Sequence, residues 1–70
     1  MLEKRSFSLS GHRTSVALEP EFWAVLGEVA ARRGMAVSAL VTLIDAERGG
    51  ERPLASALRV FALREANKTG

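Results

Sequence analysis

The residues able to do chemistry in this chain are few. His12 and Arg13 stand side by side in GHRTSVAL, Trp23 lies in EPEFW, and carboxylates are scattered along the later segments. General acid–base catalysis needs titratable groups that converge in a pocket. Spacing gives the His12 imidazole no partner, and the carboxylates fall where solvation or a helix dipole already accounts for them. With no cysteine and a single histidine, a disulfide and a thiolate-ligated zinc site are excluded, and His12 has no second soft ligand to join it. No glycine loop of the strand-to-helix phosphate type is present either; Gly34 reads as a helix terminator and Gly49-Gly50 as a linker. The expectation is therefore a protein that is not an enzyme, with no catalytic residue, no metal and no cofactor. Trp23 borders an apolar helical stripe, where packing is the better account of an aromatic side chain than ligand binding.

Charge is more informative by place than by sum. The net charge is +2, but residues 1–18 carry Lys4, Arg5 and Arg13 against Glu3, residues 19–52 are acidic on balance, and residues 53–70 are basic again. A basic arm leading into a strand suits a polyanionic partner, although a solvated terminus explains the same charges. No apolar run approaches the roughly 20 residues of a membrane span, and MLEKRSFSLSG lacks the apolar core of a signal peptide. A cytoplasmic protein with no membrane partner is expected.

Four segments must position these residues. RTSVAL alternates, with Thr14, Val16 and Leu18 on one face and Arg13, Ser15 and Ala17 on the other. Upstream, SFSLS shows the same period before Gly11 interrupts it as a bulge or turn would; the pattern does not decide whether this run is ordered. Pro20, flanked by Glu19 and Glu21, begins a helix whose stripe is Phe22, Val25, Leu26, Val29 and Ala30, and ARRG ends it. A second helix carries Leu40, Val41, Leu43 and Ile44 and ends at Arg48 before Gly49 and Gly50. After GGERP, a third run places Leu54, Leu58, Phe61 and Ala62 on one side. The layout is a basic arm over 1–11, a core over 12–48 and a C-terminal helix over 53–66.

A lone strand leaves its backbone groups unpaired, and 47% hydrophobic residues is high for 70 residues. Both observations point to a second subunit. The combination of RTSVAL, EPEFW, the ARRG terminator and GMAVSALV resembles the ribbon-helix-helix family of DNA-binding proteins, and KRSFSLSGHRTSVALEPEFW is similar to its small bacterial branch with a third helix.

The resemblance implies a mainly α fold with one short β-strand: an intertwined homodimer with an intersubunit two-stranded antiparallel ribbon, plus an additional C-terminal helix. It implies double-stranded DNA as partner and transcriptional regulation as function, with pairing of dimers into tetramers on DNA an open alternative. Arg13, Ser15 and Ala17 would contact bases from the major groove. Lys4, Arg5, His12 and the start of the second helix at Val37 and Ser38 would contact the DNA backbone. Thr14, Val16, Leu18, Phe22, Leu26, Leu40 and Ile44 would form the dimer core. The family often has Ser or Thr just before the second helix, whereas Ala36 stands here, which weakens the phosphate clamp. The rival reading is a protein-interaction or antitoxin-like adaptor that keeps the dimeric fold and binds a protein partner through the C-terminal helix.

Overall fold

The computed structural model describes residues 1–49 and 52–68. The chain runs β1 (Glu3–Leu9), β2 (His12–Leu18), α1 (Pro20–Arg32), α2 (Val37–Glu47) and α3 (Leu54–Lys68). The strand over His12–Leu18 has a neighbour in its own chain. Residues 3–9, expected within a basic arm, form β1, which pairs antiparallel with β2 from Glu3 opposite Leu18 to Leu9 opposite His12. A ribbon made only of strands from two subunits is thereby corrected: β2 already has β1 on one side.

The hairpin forms because period-two sequences flank a two-residue loop. Ser10 and Gly11 both have positive φ, 51° and 80°, the combination that a type I′ turn requires and that matches the right-handed twist of paired strands. On the face toward the helices, Phe7, Leu9, Val16 and Leu18 are buried.

α1 starts at Pro20, whose fixed φ suits the first helical turn and whose missing N–H costs no bond there. It ends in a Schellman motif. Gly34, at φ +68°, donates from its N–H to Ala31 O, and Met35 N–H reaches back to Ala30 O at 2.9 Å. This reversal sends the chain into α2. Trp23, Leu26, Val29 and Ala30 form the buried stripe of α1. Phe22 and Val25, expected on that stripe, are half-buried at its margin. α2 contributes Leu40, Val41 and Ile44, while Leu43, expected on its apolar face, is 47% exposed. α3 closes the core with Leu54, Ala57, Leu58 and Ala62.

Gly11→Val tests the turn. A β-branched residue in the left-handed region costs about 1–2 kcal/mol, so the urea midpoint is expected to fall accordingly with an unchanged slope. An unchanged midpoint would show that the hairpin does not depend on this loop.

Candidate nucleic-acid interface

Alternation sorts the hairpin into two chemically distinct faces. Outward, Arg13, Ser15 and Ala17 on β2 stand opposite Ser8, Ser6 and Lys4 on β1, respectively. All except the half-buried Ala17 are exposed. Ser6 Oγ and Ser15 Oγ are 2.9 Å apart and share a hydrogen bond. This face holds two cations, three hydroxyls and a methyl group, and no carboxylate.

The inward face disposes of the only acid in the hairpin. Glu3 Oε2 accepts from Arg5 Nε at 2.8 Å, and the Arg5 guanidinium lies 4.8 Å from the centroid of the Trp23 ring. Trp23 Nε1 donates to Glu3 O at 2.7 Å, and its ring is tilted against Phe7 with centroids 5.8 Å apart. A tryptophan 2% exposed thus satisfies its one polar atom while anchoring the start of β1. Arg5, expected beside Lys4 as a backbone contact, is on the opposite face of the strand and committed to these partners. His12 shares the inward parity but is exposed at the turn end of β2.

Of the residues expected in the core, Val16, Leu18, Leu26, Leu40 and Ile44 are buried within one chain, whereas Thr14 and Phe22 are half-buried. At the start of α2, Ala36 occupies the N-cap and no side chain caps the helix. The N–H groups of the first turn, Val37 and Ser38 among them, therefore keep their donor capacity, beside a half-buried Val37 and an exposed Ser38.

The junction after the hairpin is braced from α3. Glu19, the N-cap of α1, accepts from Arg59 Nε at 3.0 Å, and Arg59 also stands 5.8 Å from the Phe22 ring. Sequence separation hid this contact: Glu19 read as an acid at the start of a helix and Arg59 as one cation of the basic C-terminal segment.

The order of strand hairpin, helix, Schellman turn, helix and appended helix matches a family model described as a ribbon-helix-helix domain over residues 2–66. The chain belongs to the ribbon-helix-helix family. Ribbon-helix-helix domains generally bind DNA. Among solved structures, an uncharacterized protein from Bordetella pertussis Tohama I is similar, with a TM-score of 0.87 and 42% sequence identity. The match covers 99% of this ribbon-helix-helix chain and 58% of that one. A search of curated proteins finds no match. Among the described residues no cluster of side chains could hold a metal ion, and no helix is long and apolar enough to cross a membrane.

The Glu19 contact carries a pH signature. Its own backbone amide foremost, and then the Arg59 guanidinium, hold the Glu19 carboxyl below its ordinary value of 4.5. A carboxyl whose pKa is lower in the folded state stabilises the fold above the unfolded value, and that contribution is lost as pH falls through the folded value. In Arg59→Met the Glu19 pKa is expected to rise toward 4.5 without reaching it, because the backbone contribution remains. Carboxyl NMR titration reads the shift; an unmoved Glu19 would mean the ion pair does not persist in solution.

Proposed function

We propose that this ribbon-helix-helix protein is a homodimer that binds double-stranded DNA sequence-specifically, with paired β2 strands in the major groove, as a small transcriptional regulator. The observation that carries the reading is the outward hairpin face, where Arg13 and Ser15 project from a strand whose opposite side buries Val16 and Leu18. An arginine can donate two hydrogen bonds to guanine O6 and N7, a serine can donate or accept, and the Ala17 methyl suits a thymine methyl. The uncapped N-terminus of α2 adds backbone donors of the kind that hold a phosphate.

Dimerisation through β2 follows from edge chemistry. In a two-stranded antiparallel sheet every second residue of each strand turns its N–H and C=O away from the partner. Among the described residues no backbone hydrogen bond reaches the outer edge of either strand. β1 begins with three consecutive charges, Glu3-Lys4-Arg5, the kind of sequence that keeps an edge strand solvated. β2 ends with five uncharged residues, Thr14–Leu18, and is the edge suited to its own copy.

The second reading, a module that binds a protein through α3, is favoured by a cleft of about 400 Å³ between α2 and α3, lined by Ile44, Ala57, Val60 and Phe61 together with Glu47, Arg48, Arg52 and Arg64. DNA binding predicts a steep loss of affinity with salt; docking on this cleft predicts a shallow one.

Two outcomes test the proposal. For a dimer, the unfolding midpoint is expected to rise with protein concentration, and a species that stays monomeric in sedimentation at micromolar concentration would overturn the β2 pairing. Arg13→Ala is expected to cost about 1–3 kcal/mol per half-site on a site selected from a random pool and much less on scrambled duplex. Fluorescence anisotropy measures both; equal affinities of the two proteins for both duplexes would shift the function to protein binding.

A further inference from the structure

We propose that β1 is a phosphate-binding flank: Lys4, Ser6 and Ser8 of each copy lie against the duplex backbone beside the groove that Arg13, Ser15 and Ala17 enter. The inference rests on the β2-paired dimer proposed above and names what the first strand does in it.

The argument is one of width. Pairing two copies through β2 gives a sheet ordered β1, β2, β2, β1. With neighbouring strands about 4.8 Å apart, the two β2 axes are separated by one spacing and the two β1 axes by three, about 14 Å. The major groove is about 12 Å wide and admits a two-stranded ribbon. The inner pair fits between the backbones and the outer pair does not. Each β1 is therefore carried over a groove wall, where the ligand is phosphate.

The side chains that β1 directs outward have the chemistry for this position. Lys4 is a compact cation on a long stem, and Ser6 and Ser8 are hydroxyl donors that are exposed. The strand's one carboxylate, Glu3, is held on the other face by Arg5, so it does not oppose a phosphate. Ser6 does two things at once. It shares its hydrogen bond with Ser15 at 2.9 Å, and whichever hydroxyl accepts keeps its own proton to donate outward. The flank is thus tied to the reading strand at Ser6 and Ser15, and register sets Ser8 opposite Arg13.

The test is fluorescence anisotropy of the full chain, Lys4→Ala, Ser8→Ala and Arg13→Ala, on a duplex selected from a random pool and on a scrambled duplex across a range of salt. Circular dichroism and sedimentation establish that the variants, all at exposed positions, keep the fold and assembly of the parent. Lys4→Ala is expected to weaken both duplexes by the same factor and to reduce the slope of log affinity against log salt by about 1.8 per dimer, from about 0.9 per phosphate contact in two copies. Ser8→Ala is expected to weaken both by the same factor, about fivefold per copy, with the slope unchanged. In neither case does the ratio of selected to scrambled affinity move, whereas Arg13→Ala lowers it. If Lys4→Ala and Ser8→Ala lower the ratio as Arg13→Ala does, β1 reads bases and the flank is overturned. If they leave affinity and slope at the parental values while Arg13→Ala acts, phosphate is held elsewhere, and the flank is again overturned while the β2 ribbon stands. Failure of Arg13→Ala to alter the ratio, or of the parent to bind either duplex, removes the ribbon itself.

Discussion

A loop of two residues between antiparallel strands permits little choice of register, and in this hairpin register is what separates the core face from the outward face. With Leu9 opposite His12, every second position of both strands faces the helices. A slip of one residue would invert one strand against the other, exchanging Phe7 and Leu9 for Lys4 on the core face if β1 moved, or Val16 and Leu18 for Arg13 if β2 did. The left-handed backbone at Ser10 and Gly11 therefore fixes more than a bend. It decides that the outward face is small, polar and cationic while the inward face is apolar.

The helices act as a seat for that sheet. Leu18, Leu26, Leu40 and Leu58, one from each of β2, α1, α2 and α3, are all fully buried, so each of these elements contributes to one core and none is an appendage. Two polar contacts index the parts against each other. Trp23 Nε1 binds Glu3 O, fixing the start of β1 to α1, and Arg59 binds Glu19, fixing the end of β2 to α3. The pair between Glu19 and Arg59 is partly exposed and adds little energy; its effect is positional.

Much of the fold was legible in the sequence because it depends on local signals. Pro20 and the ARRG run marked the ends of α1, and the third helix was expected over 53–66 against the observed Leu54–Lys68. β1 was the failure. Its alternation in SFSLS and the Ser10-Gly11 pair were visible, but the charges at Glu3, Lys4 and Arg5 suggested a solvated arm and hid the hairpin that those signals spell together. The outward set of Arg13, Ser15 and Ala17 could be read from period two alone, since alternation within one strand is local. Its extension across Lys4, Ser6 and Ser8 could not, because it depends on which strand lies alongside. The same limit applied to Arg5, whose place over Trp23 is a matter of tertiary packing.

The in-chain hairpin also bears on the order of events during synthesis. Strands joined by two residues meet through a very short loop closure, on the microsecond scale of hairpin formation, and the helices that cover them follow directly in the chain. An interleaved ribbon would instead make pairing of the first strand wait for a collision with another molecule. Here the nascent hairpin can shield Phe7, Leu9, Val16 and Leu18 as soon as α1 and α2 emerge. The hairpin can thus form without a second molecule.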